Sequence, residues 1–330
     1  MSQNISLKDK TFKLQKESSI DSESFCAEYL KLYSECFGCR SYITKEWFKW
    51  YNLDNPLGVS NIFTARNIEN NEIAASYTLS PFITNFNSIL VNSYLCCNVM
   101  TSPSYSGMGL FTQIGQYALE NVVHSNELVI GIPNESAIKG HLKVGWQVMP
   151  NLYFIEKRKL DFTIKVCDAY VTENYNELGN YDFGSFNKNS DFNLQKNYPF
   201  LKWRYADNPK NNYRFVISKT DNVIDGYAVI KIYFDEISKL RKVHIVEYSY
   251  HELNKLKKIL WAIENYAFSI NADLINVWNF CQEESPVFKI FTNEHYMQTN
   301  NSNHFIIYSK NVIAKEYNNW QIMLGDNDVF

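Results

Sequence analysis

Apolar residues recur along this chain with two different periods, and the switches between them mark out its elements. A mostly apolar run over 89–100, with Cys96, Cys97 and Val99 at its end, predicts a buried strand. Pro103 and the Ser106-Gly107-Met108-Gly109 segment break that run. Proline offers no ladder donor, and glycine permits a tight turn. Beyond the turn Leu110, Phe111, Ile114, Ala118 and Val122 return at helical spacing. Upstream, Phe25, Tyr29, Leu32 and Tyr33 predict a helix over 25–37, and the aromatic block at 47–56 predicts a short helix that Asn55-Pro56 ends. Strands are predicted over 61–66, 72–79 and 127–132, and a helix over 134–143. Residues 1–20 show no clear period and are expected to be an irregular lead-in.

The same order then begins again. Lys202-Trp203 and Asp207-Asn208-Pro209 repeat Lys49-Trp50 and Asp54-Asn55-Pro56 at a constant offset. Strands predicted over 213–218, 226–232 and 243–250 follow, then Leu253, Leu256, Ile259, Leu260, Ile263 and Ala267 on one helical face. A strand over 274–279 closes the series, with Asn279 in the place of Asn134. A repeat of this length predicts two similar α/β domains, expected over 1–158 and 159–330. The length of 330 residues agrees, at roughly 150 residues per domain.

Composition removes several function classes. A net charge of −3 and a pI near 6.1 give no electrostatic footprint for nucleic acid. No apolar run reaches the ~18 residues that span a bilayer, and the polar first 24 residues lack a signal-peptide core. The chain is therefore expected to be cytoplasmic, without membrane insertion. Seven cysteines make an odd count, and the adjacent Cys96 and Cys97 face opposite sides of a strand. Cys36-x-x-Cys39 has no second Cys/His pair at zinc spacing, so no metal site is expected.

A glycine turn between strand and helix aims backbone N–H groups outward at a positive helix end, which suits a phosphate or pyrophosphate. Two common phosphate loops do not fit. No lysine follows the turn as in nucleotide hydrolases, and Phe111-Thr112 replaces the third glycine of the dinucleotide fingerprint. A purely structural turn remains the other reading. The second copy has Ser249-Tyr250-His251-Glu252 at this point, without glycine and with a carboxylate that would repel phosphate.

The Gly107-x-Gly109 turn resembles the acetyl-CoA pyrophosphate loop of the GCN5-related N-acetyltransferases (GNAT), although Ser104 stands where Gln or Arg is usual. The chain resembles tandem GNAT proteins of surface-polysaccharide biosynthesis in Phe200-Leu201-Lys202-Trp203-Arg204-Tyr205, Asp207-Asn208-Pro209 and Trp320…Leu324-Gly325-Asp326-x-Asp328. The resemblance implies mixed α/β sheets with flanking helices in two tandem domains, the first holding acetyl-CoA and the second a degenerate acceptor side. Asn98, Val99, Met100 and Thr101 would line the pantetheine arm. Ser106, Gly107, Met108, Gly109, Leu110 and Phe111 would hold the pyrophosphate, and Asn134 heads the second family motif.

In that motif His141 stands where a tyrosine usually protonates the departing thiolate. Histidine can do the same work, or it can simply pack. Glu247 could take the amine's proton, or sit in a salt bridge that satisfies its burial. The aromatic blocks around Trp50 and Trp203 could line a sugar cleft or form core. The implied activity is direct transfer of an acetyl group to a small-molecule amine, a nucleotide-linked amino sugar for O-antigen or capsule. Two alternatives remain: a Fem-like aminoacyl transferase using charged tRNA, and a non-catalytic protein that kept the fold. The oligomer is not legible.

Overall fold

The computed structural model describes residues 2–38, 43–179, 181, 190–210, 212–280, 285–311 and 320–328. The first half runs β1 (Ser2–Leu7), β2 (Lys10–Lys16), α1 (Glu23–Phe37), α2 (Lys45–Asn52), β3 (Asn61–Asn67), β4 (Ile73–Phe86) and β5 (Ile89–Thr101). It continues through α3 (Leu110–Val122), β6 (Leu128–Gly131), α4 (Glu135–Lys143) and β7 (Gln147–Val148). Then come β8 (Leu152–Arg158), β9 (Tyr170–Thr172), β10 (Phe192–Leu194), α5 (Tyr198–Leu201), a π-helical turn Lys202–Ala206, β11 (Tyr213–Thr220), β12 (Val223–Asp235) and β13 (Leu240–Tyr250). The chain closes with α6 (Leu253–Ser269), β14 (Leu274–Asn279), α7 (Pro286–Asn293), β15 (Met297–Asn303) and β16 (Ile306–Ser309). The fold is mixed α/β, with two mixed sheets and flanking helices.

The lead-in expected at 1–20 is instead the β1–β2 hairpin. Phe12 and Leu14 alternate with lysines and point inward, 0% and 1% exposed, and β2 pairs with β3. Alternation over so few residues, among charged neighbours, was too short to register as a strand.

Two compact units form. The first is Met1–Ile83, Val91–Met149 and His304–Ala314, and the second is Thr84–Leu90, Pro150–Asn303 and Lys315–Phe330. Their strand orders match. The first sheet runs β1-β2-β3-β4-β5-β6-β16-β7 and the second β15-β8-β14-β13-β12-β11-β9. Read from β3 and from β11, each central strand lies parallel to the next (β5 to β6, β13 to β14) and beside its hairpin partner, β4 or β12.

The strand inside the last edge of each sheet comes from the other half of the sequence. Between β6 and β7 lies β16, with Ile306 opposite Gly131 and Val148. Between β14 and β15 lies β8, with Tyr153 opposite Asn279 and Ser302. A single cut near residue 158 therefore divides the sequence but not the two compact units.

Within each unit the repeated block keeps its local bonds. Lys49 Nζ reaches Asp54 at 2.6 Å and Lys202 Nζ reaches Asp207 at 2.5 Å. Asn55 Oδ1 accepts from Leu57 N, and Asn208 Oδ1 from Lys210 N, both at 2.9 Å. These Asx bonds start the turn before each proline-ended loop. The tryptophans of both blocks are interior: Trp50 is 4% and Trp203 3% exposed. They are core, not the wall of a sugar cleft.

In the first unit, α3 and α4 cover one sheet face through Leu110, Ile114, Ala118, Ile138 and Val144, while α1 and α2 pack Phe25, Tyr29, Leu32 and Phe48 with Met100.

Candidate active site

The first unit opens where β5 and β6 part. Parallel pairing runs from Ser93–Leu128 to Cys96–Gly131 and stops. Two residues on, Asn98 adopts φ 46°, a left-handed kink that Asn tolerates better than most residues. β5 continues through the kink to Thr101. Asn98, Val99 and Thr101 are half-buried there, and Met100 is buried against α1 and α2. Main-chain groups of a strand beyond such a split can pair with an extended ligand as an added strand.

The chain then reaches the glycine turn. Gly107 and Gly109 have φ of 70° and 86°, the region that glycine enters freely. A Cβ at either would meet nothing within 4 Å, so the backbone and not crowding requires them. Gly109 is the N-cap of α3, no side chain caps that end, and its first turn carries no acidic residue. Ser106, Gly107 and Gly109 are exposed, Met108 and Phe111 half-buried, and Leu110 is core. One expected donor is already in use: the Ser106 N–H bonds the Pro103 carbonyl at 3.2 Å. The amides from Gly107 onward form the exposed, positive end of α3.

Asn134 caps α4. Its Oδ1 accepts from the amides of Ser136 and Ala137 at 3.1 and 3.0 Å, which accounts locally for that residue type. Asn279 does not answer it: α7 is capped by Ser285, and the Asn279 amide bonds Gln298 instead. Cys39 and Cys281 lie outside the described residues.

His141 turns inward on α4. It is 4% exposed, with its Nδ1 3.4 Å from the Tyr77 hydroxyl and edge-to-face contacts to Phe111 and Trp146. Burial pushes its pKa down to about 4, so the ring is neutral at neutral pH. A neutral imidazole is a poor proton source for a thiolate, and this geometry favours a packing and positioning role over that of an acid. A stability effect follows. The unfolded chain binds a proton near pH 6.5 and the folded chain only near 4, so stability is lost as pH falls through that window. The full effect is about 3 kcal/mol. In chemical denaturation at stepped pH, His141→Phe is expected to flatten this loss; an unchanged profile would contradict the burial argument.

Glu247 lies in the second unit, on β13, and is 0% exposed. It is half of an ion pair and not an accessible base. Its Oε2 takes the ammonium of Lys196 and, at 3.1 Å, the hydroxyl of Tyr205. Lys196 also reaches Asp326 at 2.7 Å. Burial pushes the Glu247 carboxyl up, and the Lys196 ammonium opposes this. Lys196, Tyr77 and Trp146 carry no sequence signal for these contacts. Asp326 does, since it stands in the closing Leu324-Gly325-Asp326 motif.

Residues 21–149 match the family model of the acetyltransferase (GNAT) domain. Over this segment the chain is similar to GNAT acetyltransferase domains. It holds the strand split, the glycine turn and α4, and the match supports an N-acetyltransferase that uses an acyl-CoA donor. No curated protein matches the sequence. Solved structures share the fold over most of the length. A conserved protein of unknown function from Enterococcus faecalis V583, described as a probable N-acyltransferase, is 12% identical with a TM-score of 0.64, over 93% of this chain and 72% of its own. A GCN5-related N-acetyltransferase from Anabaena variabilis is 11% identical at TM-score 0.65, over 89% and 72%. The N-myristoyltransferase of Saccharomyces cerevisiae, solved with myristoyl-CoA, is 11% identical at 0.59, over 93% and 80%.

Within the matched segment, Phe111 joins the turn to α4. Its ring lies where a Cβ on Gly140 would come within 2.5 Å, so α3 and α4 approach closely only because residue 140 is glycine. Packing of this kind holds the glycine turn and the His141 helix in one frame.

Proposed function

We propose that the chain is a tandem GNAT enzyme that moves an acetyl group from acetyl-CoA to the amine of a nucleotide-linked amino sugar in surface-polysaccharide assembly. The observation that carries the donor half is the strand split that leads into an uncapped Gly-x-Gly turn at a helix N-terminus. In this reading the carbonyls of Asn98 and Met100 pair with the pantetheine amides, and Val99 and Thr101 flank the arm. The amides of Gly107, Met108, Gly109, Leu110 and Phe111 hold the pyrophosphate.

The Met100 amide faces the thioester carbonyl and stabilises the oxyanion that forms on it. The amine attacks directly, its N–C bond forms as the C–S bond breaks, and the amine's proton ends on the CoA thiol. Holding both reactants in one frame supplies the rate. His141 keeps α4 in register and stays neutral. The second unit, which lacks a glycine turn, handles the acceptor. The acceptor class rests on the resemblance of the Phe200–Tyr205 and Leu324–Asp328 segments to proteins of that kind.

The test is thiol release from acetyl-CoA against a panel of nucleotide-linked amino sugars, free amino sugars and amino-terminal peptides. Turnover with the nucleotide-linked class, at least tenfold above the others in kcat/KM, is expected. Preference for peptides would overturn the acceptor assignment and leave the donor assignment standing.

A further inference from the structure

The second unit repeats the strand split of the first, but its split is filled. Parallel pairing of β13 with β14 ends at His244–Asn276, and two residues later Val246 bulges out of register with β12. The first unit does the same: pairing ends at Cys96–Gly131 and Asn98 kinks two residues on. Val246 therefore stands for Asn98, and Tyr248 for Met100. These are the two positions whose main-chain groups are assigned above to the pantetheine arm and the thioester.

In the second unit those groups meet the closing turn of the chain, Leu324–Asp326. The Tyr248 N–H donates to Met323 Sδ at 3.4 Å. Because that amide bonds Met323 and not β12, it points to the edge of β13 left open by the split. On the same edge a Cβ on Gly325 would lie 2.9 Å from the Val246 carbonyl, and it would overlap the Tyr205 hydroxyl. Ile322, Met323, Leu324 and Asp326 are at most 3% exposed.

Charged side chains latch the turn from below. Arg204, 2% exposed, donates Nε to the Gly325 carbonyl at 3.2 Å and a terminal nitrogen to the Asn327 carbonyl. Lys196 holds Asp326 and Glu247 together, and Asp326 Oδ2 accepts from the Met323 amide at 2.8 Å. The guanidinium bonds two carbonyls of the turn and the ammonium bridges two carboxylates, both charge-assisted contacts. Their placement explains why Arg204 and Asp326, 122 residues apart, both sit in the interior.

We propose that Ile322–Asn327 is a built-in ligand of the second unit, seated on the strand edge that in the first unit receives the acyl carrier. The Met323 thioether sits on the amide that corresponds to the one facing the thioester. The second unit therefore has no donor site, and the enzyme takes one acyl-CoA per chain. The correspondence to the carrier rests on the donor reading above; the occupancy of the edge does not.

The test is hydrogen–deuterium exchange on the full chain, read at 246–250, with and without acetyl-CoA. In the wild type the stretch is expected to be protected, and acetyl-CoA is expected to leave it unchanged. Gly325→Val, which forces the turn off Val246 and Tyr205, should raise exchange at 246–250 at least tenfold. Acetyl-CoA affinity should stay within twofold. If Gly325→Val does not fold, Arg204→Met gives the same readout by removing the latch. Unchanged protection in a folded variant overturns the proposal, and so does added protection of 246–250 by acetyl-CoA in the wild type. If acetyl-CoA protects no part of the chain while Gly325→Val still unprotects 246–250, the donor reading fails and the built-in ligand stands.

Discussion

Gly109→Glu is expected to weaken acetyl-CoA binding at least tenfold, about 1.4 kcal/mol. Two effects add. At φ 86° a side chain costs roughly 1–2 kcal/mol of backbone strain, and the new carboxylate stands at the end of α3 where the phosphates are assigned. Space is not the issue, because a Cβ there meets nothing within 4 Å. Gly109→Asn separates the two effects, since asparagine tolerates the left-handed region without adding charge. Calorimetry should find the Asn variant close to the wild type and the Glu variant weak. Equal affinity in a folded Glu variant would remove the turn from the donor site.

The second large effect concerns the exchanged strands. On β8, Lys157 is 0% exposed and binds Glu264 of α6, also 0% exposed, at 2.7 Å. Glu264 Oε2 further receives the Thr163 amide and hydroxyl, each at 3.4 Å. Removing one member of a buried ion pair strands the other and costs about 3–5 kcal/mol. Glu264→Leu should therefore lower the melting temperature by about 10 °C, at the 2–4 °C per kcal/mol expected for a unit of this size. Lys157→Met with Glu264→Leu should recover most of it, because a neutral, well-packed pair replaces a desolvated one. A double variant as unstable as the single one would show that the lysine does more than neutralise Glu264.

The pair also bears on topology. A lysine needs a carboxylate when buried, and Lys157 finds Glu264 only in the second sheet. In the first sheet the corresponding place is taken by Ile306, Ile307 and Tyr308, with no charge to satisfy. The ion pair thus helps decide which sheet accepts β8.

Long, strongly periodic segments were legible in the sequence. The predicted strand over 274–279 has the bounds of β14, and α6 follows the apolar face read from Leu253 to Ala267. The paired markers, Asp-Asn-Pro after Lys-Trp, could be read because they act locally through Asx bonds and a proline stop. The exchange of β8 and β16 was not, because pairing across about 150 residues leaves no trace in local period.

Site residues divide in the same way. Gly107 and Gly109 could be read because a left-handed turn demands glycine. Glu247 could be read as needing a partner, but Lys196 lies 51 residues away in a short irregular stretch. His141 matched a family position, yet its neutrality comes from Tyr77, Phe111 and Trp146 closing around it, which only the fold assembles.

The central claim is that one acyl-CoA binds the first unit along Asn98–Thr101 with its pyrophosphate on the turn at 107–111. A crystal structure of the full chain with CoA tests it most directly. Expected are pantetheine amides bonded to the Asn98 and Met100 carbonyls, phosphate oxygens within about 3.2 Å of the amides from Gly107 to Phe111, and Met323 still seated on Tyr248. CoA lodged between β13 and β14 with the closing turn displaced, or phosphates away from the glycine turn, would contradict it.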